Sequence, residues 1–396
     1  MLGVMAATAL LSTLPLAQVV PQVPVNRAGN TWVAIKTSSF PAPPQGRLQI
    51  SARAHIVVRG GDSSNAISYK LTQRVPVTPA IRSEEAARQF IGAPAVYRSP
   101  DGTSVGKLVL SPGASSIVAS ELEVTVPKQL VSVVVEAPSG SVEAYDLEGA
   151  VQITTGAGEI RADRIQGGFN GRTGGGEIRL GKIGGAVRCV SAGGSIFIDS
   201  SGTDTNCSTM GGGIYLRESP GFVTLQTSGG NIVVDKVAAA LNVQSTSGSI
   251  EVGQAGGFVS AVTNEGFIQV SGARGVRAES GHGSVRVKGI EGPIQISAAV
   301  GNIFADLVAG MALAQSSLVA SAGDITLGVP SNLPVTVMAR NETGGNPGIV
   351  SDFSELRVKS VGFVVPPVVV QGSIGRGGPL MNLSTSSGLI YIRRVK

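Results

Sequence analysis

Between residues 140 and 327, apolar positions return at a constant step along the chain. Glycines stand at 140, 158, 176, 194, 212, 230, 248, 266, 283, 301 and 323, and two places beyond each comes Val or Ile: Val142, Ile160, Ile178, Ile196, Ile214, Ile232, Ile250, Ile268, Val285, Ile303 and Ile325. The step is 18 seven times running, then 17, 18 and 22. Two residues further on, a second apolar column runs from Ala144 to Leu327. Half a period later a second strand contributes the pairs Val151/Ile153, Val187/Cys189, Val223/Leu225, Leu241/Val243, Val259/Ala261, Val276/Ala278 and Ile294/Ile296. A third column holds Leu147, Ile165, Ile183, Val237, Ile290 and Val308, interrupted at Ser201 and Ser219.

Strand side chains alternate between faces, so the residue inside each inward pair should face water. In the second strand these are Gln152, Asn170, Arg188, Asn206, Thr224, Asn242, Ser260, Arg277 and Gln295, all polar. The pattern predicts an all-β fold: a right-handed parallel β-solenoid of about eleven 18-residue coils, with glycine at corners that need positive φ or close approach. At the spacing of hydrogen-bonded strands, eleven coils make a rod on the order of 50 Å long. One coil cannot seal its own apolar columns, and only the coils above and below can.

Residues 136–328 form this repeat domain. Residues 27–135 are strand-rich without the 18-residue step and are expected to cover the first coil. A helix is predicted there, capped by Ser83, with Glu84 and Glu85 in its first turn and Gly92 beyond its end. Residues 329–396 read as a loop-rich insertion followed by one last capping coil at Gly388, Ile390 and Ile392. Residues 1–20 are uncharged and apolar, and read as a signal peptide or an N-terminal anchor.

The only two cysteines, Cys189 and Cys207, fall one coil apart in one inward column. Strand spacing puts their Cα atoms at roughly 5 Å, within disulfide range. In an exported protein a Cys189–Cys207 disulfide is expected, stabilising by about 3 kcal/mol, with stacked buried thiols as the alternative.

Composition narrows the function classes. Glycine reaches 55 residues, aromatics are 4% and charged residues 14%, which suits short strands and glycine turns rather than a disordered chain. The net charge of +5 comes from scattered Lys and Arg with no basic stripe, so nucleic acid is not an expected partner.

The units TTGAGEI, RTGGGEI, QTSGGNI and STSGSI, the entry ELEVTVPKQLVSVVVEAPSGSVEA and the ending GGPLMNLSTSSGLIYIRR resemble a bacterial putative-adhesin family of unknown function with β-strand repeats. The resemblance covers roughly residues 45–396. It implies the repeat fold and carries over no catalytic or binding residues.

Candidate sites follow from the columns. Glu159 and Glu177 share an outward column about 5 Å apart, a separation that a retaining glycosidase also uses, but Arg161 and Arg179 lie beside them and a charge ladder is expected. His282 in SGHGS has no partner in phase and reads as a solvated turn residue. Asp199, Asp204 and Asp235 do not recur in phase, so no metal and no cofactor is expected. Phe197, Tyr215 and Val233 occupy one outward column on successive coils and form the candidate ligand-binding strip. The expected function is that of an exported, non-enzymatic solenoid, periplasmic, secreted or on the outer surface. It would act as an adhesin-like binder or scaffold for carbohydrate or protein, with no integral membrane domain beyond an N-terminal anchor. The alternatives are a carbohydrate-active β-helix enzyme and a rod that assembles end to end.

Overall fold

The coils from Thr155 to Ser280 each close with a Thr or Ser whose hydroxyl bonds at the corner, and Ala298 and Ala320 take that place in the next two. Thr155 Oγ1 donates to the carbonyl of Gly140, one coil below, at 3.0 Å and accepts the N–H of Gly158 at 3.1 Å. Thr173, Ser191, Thr209, Thr227 and Ser245 repeat both bonds, donating to the corner glycine one coil below and accepting from the glycine three residues on. These hydroxyls are buried, so each bond satisfies corner backbone groups that water cannot reach. Glycine follows from the same packing. A Cβ on Gly158 would lie 1.9 Å from the carbonyl oxygen of Gly140, and one on Gly176 would lie 2.0 Å from that of Gly158.

This computed structural model describes residues 23–42, 46–61, 65–98, 105–110, 117–308, 313–343, 348–360 and 367–395. The segment 1–20, read as a signal or anchor, lies outside the described residues. Among those described, no helix is long and apolar enough to cross a membrane.

The corners separate two long parallel sheets. In the first, Val142 pairs with Ile160, and the register continues through Ile178, Ile196, Ile214, Ile232, Ile250, Ile268, Val285 and Ile303 to Ile325. All eleven are fully buried, as the 18-residue step predicts. In the second sheet Ile153, Gly171, Cys189, Cys207, Leu225, Val243, Ala261, Ala278, Ile296 and Leu318 form one file. Size is balanced within it. A Cβ on Gly171 would meet the ring of buried Phe169 at 2.7 Å, so the glycine makes room for the phenylalanine. None of the nine polar residues from Gln152 to Gln295 is buried.

The stack is longer than eleven coils, and its ends are threaded out of chain order. At one end Ile56 pairs with Val142 on one side and Leu122 on the other, while Ile50 lies between Val135 and Leu108. Residues 27–135 therefore supply two further rungs instead of merely covering the first. At the other end Ile390 sits between Ile325 and Ile349, and Leu383 between Leu318 and Ala339. The last coil is thus interposed, and the insertion forms the outermost rung. Fifteen rungs give a stack about 67 Å long.

Antiparallel strands close both ends. Ala119–Pro127 is followed by Ala66–Pro76, Thr31–Pro41 and Val25–Ala28 in the first sheet, and Val335–Asn341 by Val368–Ile374 and Arg357–Ser360 in the second. Reversing direction and covering the ladder blunts an edge that would otherwise recruit another chain. The predicted helix is present as Glu84–Arg88, with the Ser83 side chain accepting from the Ala86 N–H.

Two further sequence expectations change. In the third column, Leu307 and not Val308 faces Ile290, because a bulge at Lys288/Ile290 shifts the register, and Val308 is exposed. The expected Cys189–Cys207 disulfide is absent: the two residues are register partners, but both are free, buried thiols. Side chains of in-register parallel strands leave the backbone in the same direction, so their Cβ atoms keep the strand spacing of about 4.8 Å, wider than the 3.5–4.5 Å a disulfide needs. Beside them, Ser201 and Ser219 interrupt the apolar column by bonding to each other at 2.8 Å, with Thr205 donating to Ser201 at 2.8 Å.

Candidate functional site

The outward face of the first sheet carries one column per strand position. Register places Glu143, Arg161, Arg179, Phe197, Tyr215, Val233, Glu251, Gln269, Arg286, Phe304, Thr326 and Tyr391 in a single file. Strand spacing brings flat rings on adjacent coils into van der Waals stacking without rotation. Phe197 and Tyr215 stack with centroids 4.8 Å apart and planes inclined by 5°.

Tyr215 is 38% exposed, so among the described residues neither terminal region covers its ring; Phe197 and Val233 are half-buried beside it. The Tyr215 ring lies back over Gly213, where an added Cβ would come within 3.0 Å of Cε2. The glycine thus lets the ring lie flat against the sheet.

Arginine closes one end of the stack. The Arg179 guanidinium lies 4.8 Å from the Phe197 centroid and donates to Glu177 at 2.6 and 3.0 Å. It also pairs with Glu159 at 3.4 Å, which itself accepts from Arg161 at 2.8 and 3.1 Å. Glu159, Glu177, Arg161 and Arg179 form the charge ladder that the sequence predicts. Asp199–Arg217 and Glu218–Lys236 continue cross-coil pairing on the same sheet at 3.9 and 3.6 Å. The strip is therefore an apolar, aromatic interruption in a charge-paired face.

The other sequence candidates lie elsewhere. His282 is exposed at the end of its strand, opposite Glu265 in register. Asp204 accepts the N–H of Phe222 at 2.9 Å, away from the aromatic strip. Among the described residues, no group of three or more His, Cys, Asp or Glu could hold a metal ion. Burial, with a bond to the Cys207 thiol as a lesser cause, pushes the Cys189 thiol well above its usual pKa, so that thiol is poorly suited to nucleophilic work.

Arg–aromatic contacts recur along the first sheet. Arg59 and Arg164 flank Tyr145 at 5.4 and 6.0 Å, and Arg286 covers Phe304 at 5.0 Å. Tyr145 donates to Glu143 at 3.0 Å, and burial followed by that carboxylate raises its pKa. Column assignment alone could not anticipate Tyr145, because Arg59 reaches it from a rung threaded out of sequence order.

No family model matches the chain, and no curated protein matches it. Among the solved structures similar to it are two bacterial ones. One is a "putative cell adhesion protein" from Clostridium sporogenes, 11% identical, covering 91% of this chain and 100% of that one, with a TM-score of 0.19. The other is a "putative adhesin" from Bacteroides fragilis, 10% identical, covering 91% and 97%, with a TM-score of 0.21. Likeness at this level says nothing of a role or a ligand.

Proposed function

We propose that the protein is an exported, non-enzymatic β-solenoid that acts as an adhesin-like binder, with Phe197, Tyr215 and Val233 as its contact strip for carbohydrate or protein at a cell surface. The stacked Phe197–Tyr215 pair, with the Tyr215 ring open to solvent, carries this reading. A flat aromatic surface in a charge-paired face offers a ring-stacking platform where other side chains are already engaged, and such a patch marks a contact site. The Arg179 guanidinium extends the platform by one layer. A rigid rod also repeats its contacts at a fixed step, so weak interactions add up. A non-enzymatic role is supported by Glu159 and Glu177, whose oxygens are engaged by arginines. The apolar segment 1–20 supports export.

Glycan-array and pull-down binding of wild type against the double variant Phe197→Ala/Tyr215→Ala tests the proposal. Binding should be lost in the variant while its melting transition stays cooperative. Equal, specific binding by both proteins removes the strip as the site.

A further inference from the structure

We infer a second binding site, on the outward side of the second sheet, for a linear neutral polysaccharide. A groove of about 850 Å³ runs along the edge where these strands turn toward the first sheet, from Thr173 to Ala299. It crosses eight coils and so extends about 34 Å at the strand spacing. At Glu279 and Ser297 it meets a second groove of about 620 Å³ that continues to Asn382.

The lining determines what fits. Ser208, Gln226, Gln244, Thr246, Asn264 and Ser297 present hydroxyls and amides that both donate and accept, between the apolar side chains of Val190, Met210 and Val262, which suit the nonpolar face of a sugar ring. The single charged group in the longer groove, Glu279, is engaged by Arg277 at 2.6 and 2.7 Å. A polyanion would find no cation among the residues lining the longer groove, and a polycation only the carboxylate of Glu279, already paired through Oε1. An added peptide strand has no ladder to join, because the strands beneath are paired on both sides. A long, uncharged partner remains, built of repeating units that offer hydroxyl donors and acceptors at short intervals. A neutral polysaccharide has that chemistry, and many modest hydrogen bonds along one chain add to a specific affinity.

This groove lies on the other sheet from the Phe197–Tyr215 strip, so the two sites succeed or fail separately. Affinity electrophoresis of the full chain, in gels containing soluble linear β-glucan, galactomannan or alginate, tests it at low and at high salt. At least one of the two neutral polymers should retard the protein equally at both salt concentrations. Gln226→Ala/Gln244→Ala, two exposed side chains, should weaken that retardation about tenfold or more, and Phe197→Ala/Tyr215→Ala should leave it unchanged. Retardation by alginate alone, vanishing at high salt, would overturn the inference. So would no retardation by either neutral polymer, or equal retardation of the glutamine variant and wild type.

Discussion

Cys189 lies directly opposite Cys207 on neighbouring parallel strands, and the two remain free thiols in a dry core. In-register parallel stacking brings matching residues to strand spacing and holds them there. The same rule keeps the thiols unbridged and sets Phe197 flat on Tyr215.

Thiol chemistry follows from that burial. Native protein should show no fast reaction with a maleimide, and denatured, unreduced protein should show two labelled thiols. Folding raises the pKa of Cys189, so its neutral form is favoured in the folded state. The associated stability is present below the unfolded thiol pKa and lost as pH rises above it. A denaturant midpoint that falls on alkalisation, and falls less in Cys189→Ala, checks the sign.

Corner hydroxyls should be worth more than surface threonines. Thr227→Val removes the donor to Gly212 O and the acceptor for Gly230 N–H, stranding two buried backbone groups. A loss of about 1–3 kcal/mol is expected in urea unfolding. Thr224→Val, outside the corner on the same strand, should change stability by less than about 0.5 kcal/mol.

Stacked rings should be energetically coupled. A double-mutant cycle on Phe197→Ala and Tyr215→Ala is expected to give about 0.5–1.5 kcal/mol of interaction. A coupling indistinguishable from zero would mean that the rings are not neighbours in solution.

The eleven central rungs were legible because every coil there has nearly the same length, so glycine, Ile and Thr recur in phase. Of the four outer rungs, the coil at Gly388, Ile390 and Ile392 was legible but not its place inside the insertion, and the other three were not. Ile56 and Ile390 are inserted between segments distant in sequence, and period counting cannot see a neighbour that arrives out of order. Val308 was misplaced for a local reason: Gly289 at φ 65° accompanies a bulge that advances the register by one. The aromatic strip was readable from spacing alone, whereas its arginine neighbour at Phe197 and the opposite groove depend on how side chains lie across coils. The nine-residue polar column was the available signal for the groove's sheet, but read as a solvated face it carried no chemistry.

Adjacent glycines in RTGGGEI offer the most direct measurement of coil stacking. A methyl group at Gly176 would meet the carbonyl of Gly158 at 2.0 Å, whereas one at Gly175 meets nothing within 4 Å. Gly176→Ala should therefore destabilise by more than about 3 kcal/mol in equilibrium urea unfolding, and Gly175→Ala should lie within about 1 kcal/mol of wild type. Equal effects at the two positions would mean that residues 158 and 176 do not lie over one another, and would contradict the stacked coil on which both proposed sites stand.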